Sequence, residues 1–249
     1  MSMKLMQAYF NYIYNMVYDF STSRLNRYQK LQERCVCKLE LEDNDRVLCV
    51  GVGTGNEILH ILSMNRTVSI IGIDYSHIAL QKAYRKALTL GKEIEVLVMD
   101  ARCLDFSAGS FDKVLCIHLM DFVEEIEKVS GEILRVLKEG GRFLITYPSE
   151  KEGPRLGVNL LSDSIRHDIS SGKHPIRTLF ESLLQMLVGI VYLPLLLRPK
   201  RKAYSRCELE TLITRLTRDF EIEEDVVYQD FIVYGKKSVK GGESNAYRR

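Results

Sequence analysis

The sequence predicts an α/β protein built on a doubly wound, mostly parallel sheet. Three observations predict it. Apolar runs of strand length alternate with amphipathic stretches of helix length between residues 46 and 147, the order of repeated strand–helix–strand units. The first run, Val47–Val50, enters a turn carrying Gly51, Gly53 and Gly55, and a helix pattern follows from Glu57. The next two runs end in acids, Asp74 and Asp100, at the strand edge where ligands of such sheets bind.

The glycine turn lets backbone approach a ligand where a Cβ would collide with it. Asp74 closes the run from Ser69 and lies 19 residues beyond Gly55, near the spacing of a carboxylate that accepts ribose hydroxyls. Together they predict a nucleoside-containing cofactor. The spacing is G-x-G-x-G followed by Asn56, not the G-x-G-x-x-G that places a pyrophosphate on a helix N-terminus. Glu95–Ala101 reads as a third strand and Ser110–His118 as a fourth, buried one. Leu134–Tyr147 reads as a helix end, a stop at Gly140–Gly141 and a fifth strand. Later in the chain, Ser205 is a plausible N-cap for a last helix, and Phe220–Val227 with Asp230–Lys236 reads as a terminal hairpin.

This series resembles the class I S-adenosylmethionine (SAM) methyltransferases, over roughly residues 10–150 and 204–237. The segment Tyr18 to Gly55 is similar to the opening of the ubiquinone/menaquinone and phospholipid methyltransferase branch. The resemblance implies a Rossmann-like sheet of seven strands with the last antiparallel, and SAM as cofactor. It implies cofactor contacts at Gly51, Val52, Gly53, Gly55, Asp74, Tyr75, Asp100 and Ala101, with Asp100 accepting from the adenine amino group. It further implies an N-terminal arm in which Tyr18 covers the cofactor and Arg27 approaches its carboxylate. One position departs: relatives carry an acid two residues before the first glycine, where this chain has Cys49. That acid usually helps organise the methionine ammonium, so a catalytically inactive SAM-binding interaction module is the alternative reading.

The expected organisation is a helical arm and cap over 1–40, a SAM-binding core over 41–147, an apolar helical insertion over 148–204, the last helix and hairpin over 205–237, and a disordered tail over 238–249. In the arm, Met6, Phe10, Ile13, Val17 and Phe20 recur at helical spacing, the pattern of a stripe packed on the domain. The insertion holds an uncharged run, 182–197, followed by Arg198, Lys200, Arg201 and Lys202. As a straight helix that run is roughly 24 Å long, short of the ~30 Å hydrocarbon core, and Pro194 interrupts it. Three roles fit it: a buried lid, the wall of a greasy acceptor pocket, or peripheral membrane contact through 179–202.

Net charge is +2, which gives no global field for nucleic acid, and no nucleic-acid partner is expected. Six cysteines lack paired zinc spacing; no metal is expected, and reduced thiols fit a cytoplasmic protein. The expected activity is methyl transfer to a small hydrophobic acceptor: a lipid, a quinone-like ring or another apolar metabolite. His118, at the mouth of the fourth strand, is the candidate base and borders the cofactor. Asp121 orients the acceptor or caps the following helix, and Tyr147 borders the acceptor. His167 and His174 read as solvated loop residues. The sequence does not reveal an oligomeric state.

Overall fold

The computed structural model describes residues 8–23, 25–151, 202–225 and 230–238, with isolated positions between 162 and 184. After a π-helical turn, Phe10–Tyr14, the elements are α1 (Asn15–Thr22), α2 (Asn26–Lys38), β1 (Arg46–Val50), α3 (Asn56–Ser63), β2 (Ser69–Asp74), α4 (His77–Thr89) and β3 (Glu95–Val98). There follow β4 (Phe111–Cys116), α5 (Ile126–Val136), β5 (Leu137–Pro148), α6 (Arg206–Thr214), β6 (Asp219–Glu224) and β7 (Asp230–Lys236).

These strands form one sheet of seven in the order β3-β2-β1-β4-β5-β7-β6. The first five pair in parallel, and β7 enters antiparallel between β5 and β6. The chain winds outward from β1 to β3, then returns to place β4 on the other side of β1. The crevice between the carboxyl ends of β1 and β4 is therefore the switch point where such sheets bind ligands.

Alternation along each strand feeds two cores, one per face. Leu48, Val50, Ile71, Ile73, Ile145 and Tyr147 join one cluster, while Val47, Cys49, Ile70, Leu115 and Leu144 join the other. Each fully buried aliphatic side chain contributes roughly 1.5–3 kcal/mol, so the parallel strands are apolar nearly throughout. Ser205 caps α6 with Glu208 in a reciprocal capping box, as its position in sequence predicts.

Three local expectations are corrected. Gly140–Gly141 does not stop a helix: α5 ends at Val136, and the fully buried Leu137 already pairs with Phe111 as the first residue of β5. The glycines fall where the β4–β5 register shifts before Lys113 meets Arg142. Asp121 caps no helix, because α5 begins at Ile126 with Glu125 at the N-cap. The arm's buried face is largely polar: Asn11 and Asn15 are buried along with Tyr9, whereas Ile13 of the apolar stripe is 46% exposed. Met6, His167, His174 and 185–201 lie outside the described residues. Among the described residues no helix is long and apolar enough to cross a membrane.

Candidate active site

The glycine turn is folded against the end of β2. The N–H groups of Gly51 and Val52 both donate to the Ile73 carbonyl, at 2.8 and 3.0 Å. Gly55 stands at the N-cap of α3 with φ +80°. The Asp74 carboxylate accepts from the Gly53 N–H and from the Ser76 N–H, both at 2.8 Å. Burial pushes its pKa up, against the opposing pull of the Ser76, Gly53 and Tyr75 amides. A Cβ at Gly53 would enter clear space beside that carboxylate, whose remaining lone pairs stay available to hydroxyl donors. A bare turn beside a fixed acceptor fits an adenosyl group.

The N-terminal arm is tied over this turn by polar contacts. Thr54 Oγ1 donates to Asp19 Oδ1 at 2.6 Å, and Lys86 Nζ reaches Asp19 Oδ1 and Asn56 Oδ1, each at 2.7 Å. Ser76 Oγ donates to Asn11 Oδ1 at 2.5 Å and accepts from Asn15 Nδ2 at 3.0 Å. Lys82 Nζ donates to the Asn15 carbonyl. Tyr18 shares a 2.9 Å hydroxyl contact with Tyr28, whose ring meets His118 edge-on at 5.4 Å. Tyr18 thus stands near the crevice, whereas Arg27 lies on the exposed side of α2.

His118 follows β4 in a left-handed conformation, φ +56°, unusual for a side-chain-bearing residue. Its N–H donates to Thr146 Oγ1 at 2.7 Å. Its Nδ1 lies 3.4 Å from Asp230 Oδ2 and 3.9 Å from Asp121 Oδ2. Asp230 is the buried first residue of β7 and pairs with Pro148, which brings it to the carboxyl end of β5. Nε2 is buried and meets no hydrogen-bond partner among the described residues. Burial pushes the imidazole pKa down to about 4, against the charge of Asp225, so the ring is neutral near pH 7. Donor atoms of His118, Asp121 and Asp230 lie within 4.8 Å of one another, a spacing a cation can bridge. The same geometry suits an imidazole oriented by a carboxylate, which leaves Nε2 facing away from the acids.

Other expected residues are placed differently. Tyr147 is 1% exposed; its hydroxyl meets Ser130 Oγ at 2.9 Å and its ring packs edge-on against Tyr204. It belongs to the core because it shares a strand face with Phe143 and Ile145, and burial drives its phenol strongly upward. The Asp100 carboxylate is held by the Arg102 guanidinium, at 2.6 Å from Nη2, which lowers its pKa. Ala101 is buried beside it, and Tyr75 is exposed.

The sequence reading missed Asp230, 112 residues from His118, and Glu57 in the first turn of α3. Glu57 is 8% exposed, and burial pushes its carboxyl pKa up to about 8. The folded state therefore holds its proton more tightly than the unfolded chain. Stability contributed this way is fully present below about pH 4.5 and is lost as pH rises through about 8. Glu57→Gln is expected to match wild type at pH 5 and to exceed it by a few kcal/mol, on the order of magnitude of that shift, above pH 8. Denaturant unfolding of both proteins at the two pH values checks this.

A methyltransferase domain model matches residues 47–141. Over 145 residues, 57% of this chain and 68% of the relative, the sequence is 35% identical to a phosphatidylethanolamine N-methyltransferase of Cereibacter sphaeroides. Over 109 residues, 43% of this chain and 50% of the relative, it is 33% identical to a demethylmenaquinone methyltransferase of Thermus thermophilus. A sterol 24-C-methyltransferase of Eremothecium gossypii is 36% identical over 42% of this chain, and the chain spans 28% of its length. Among solved structures, a SAM-dependent methyltransferase from Aquifex aeolicus shares the fold, with a TM-score of 0.56 at 19% identity, over 82% of this chain and 88% of that one. The chain belongs to the class I SAM-dependent methyltransferases. SAM is its cofactor.

Proposed function

We propose that this methyltransferase acts on a small hydrophobic acceptor, of the lipid or quinone kind, whose attacking atom arrives carrying a proton. The observation that carries the chemistry is the buried, unpartnered Nε2 of a neutral His118 at the end of β4, with Asp230 beside Nδ1. The acceptor class is supported by relatives whose names specify phosphatidylethanolamine and demethylmenaquinone. It is also supported by the uncharged run 182–197 and the basic residues after it, which suit a lipid surface.

SAM, when bound, supplies an electrophilic methyl on sulfur. The protein's task is then alignment and exclusion of water. The glycine turn and Asp74 fix the adenosyl end, and the arm covers it through Asp19, Asn11 and Asn15. A phenol or an ammonium must shed a proton before its lone pair attacks, and Nε2 is placed to take it. Asp230 keeps the other proton on Nδ1, so the basic lone pair stays on Nε2. Thr146 holds the strained His118 backbone so that the ring direction is set before any acceptor arrives.

The test is transfer of labelled methyl from SAM to vesicles holding phosphatidylethanolamine, to demethylated quinols and to small phenols. Incorporation into at least one, dependent on His118, is expected. SAM binding without transfer to any of them would instead favour the inactive interaction module.

A further inference from the structure

The cofactor carries two positive charges, a sulfonium and an α-ammonium, and of the acids at the switch-point crevice Asp121 and Asp230 lie at the His118 imidazole. Asp74 is engaged by the backbone amides of Gly53, Tyr75 and Ser76. Cys49, one residue before the end of β1, is a buried thiol driven far from ionising, first by its burial and then by the charge of Glu57, so it offers no negative charge. Glu57 is different. It follows the Gly55 N-cap by two residues and is more than nine-tenths buried. Among the described residues its carboxylate has its own N–H as a hydrogen-bond donor and no other. Its charge bears on groups at three strand ends: Cys49 on β1, Cys116 on β4 and Asp74 on β2. Its place in the first turn of α3, directly after the glycine loop that leaves β1, sets it beside the crevice.

From this placement we infer that Glu57 is a cofactor-binding residue, and that its carboxylate takes the α-ammonium of the methionine part. The inference rests on SAM as cofactor and not on the acceptor proposed above. A buried carboxyl group with no cationic partner keeps its proton, and an arriving ammonium reverses the balance. The groups facing it are Asp74 from β2, Cys49 from β1, Cys116 from β4 and Lys86 from α4. Of these only Lys86 favours ionisation, and Lys86 is already held by Asp19 and Asn56. Binding near pH 7 therefore drives the Glu57 proton into solvent, and the carboxylate left behind pairs with the ammonium. No covalent bond of the cofactor changes.

Calorimetry with three probes tests this: SAM, S-adenosylhomocysteine, which keeps the ammonium but lacks the sulfonium, and methylthioadenosine, which lacks the whole amino-acid part. Glu57→Gln is expected to weaken the first two alike, by roughly 10- to 100-fold, the range for losing a charged hydrogen-bond partner. Methylthioadenosine should bind as to wild type, which also shows that the variant is folded. Equal loss of all three, loss of SAM alone, or no loss overturns the assignment. Titration of the unmodified protein with S-adenosylhomocysteine at pH 7, in buffers of different ionisation enthalpy, gives a reading that needs no variant. A buffer-dependent heat reporting proton release is expected, and a heat independent of buffer overturns it.

Discussion

Alanine at Gly55 is expected to remove about 2–5 kcal/mol of stability and SAM binding with it. Two independent terms add. At φ +80° an L side chain pays about 1–2 kcal/mol for the left-handed conformation. Its Cβ would also lie 2.7 Å from Ala83 Cβ and 2.9 Å from Ala83 Cα, deep in α4, where overpacking costs about 1–3 kcal/mol. For a chain of 249 residues this corresponds to a melting temperature lower by roughly 5–15 °C. Gly53→Ala is the informative contrast. Its φ is +51°, but nothing stands within 4 Å of the added Cβ, so only the conformational term applies to the free protein. Its SAM affinity should fall more than its stability does, because the methyl group occupies cofactor space. Thermal melts with and without SAM separate the two glycines; equal thermal losses would mean that Ala83 does not set the constraint at Gly55.

His118→Ala is expected to lower kcat by about 10²- to 10⁴-fold, the usual contribution of a positioned base, with little change in SAM affinity. Asp230→Asn should give a smaller loss of kcat, because it disturbs the tautomer and not the proton acceptor. Burial holds the imidazole pKa at about 4. The acid limb of the kcat/KM profile should then fall well below pH 6.5, the ordinary histidine range, since the ring stays neutral until then. Activity should also survive a chelator. Loss on chelation with recovery on adding a divalent ion would give His118, Asp121 and Asp230 to a cation instead. Normal turnover by the alanine variant would remove the base and leave the family assignment intact.

The frame was readable because its signals are local. The glycine spacing, the acids at the end of β2 and just beyond β3, and the apolar strands each announce themselves within a few residues, and the turn and acids lie at the carboxyl edge of the sheet. What escaped was set by pairing between distant segments. Asp230 reaches His118 only because β7 inserts antiparallel beside β5, putting its first residue opposite Pro148. Glu57 looks in sequence like an ordinary acid favouring a helix start; its burial arises only once α3 is packed in the folded chain. Tyr147 was assigned one residue off in facing direction. Thr146 on β5 meets His118, while Tyr147 turns into the opposite core. The arm's apolar stripe misled because its helix docks by asparagines, and hydrophobic periodicity does not register such a face.

That manner of docking bears on how cofactor enters and leaves. Lifting the segment away from Ser76, Thr54 and Lys86 uncovers amides, hydroxyls and charges, all of which water satisfies at once. Little oily surface is newly wetted: Tyr9 is buried, but Tyr12, Ile13 and Met16 already face outward when the segment is seated. The closed form is therefore held by exchangeable bonds, each worth about 1 kcal/mol net. Such a clasp can open without the domain loosening its core.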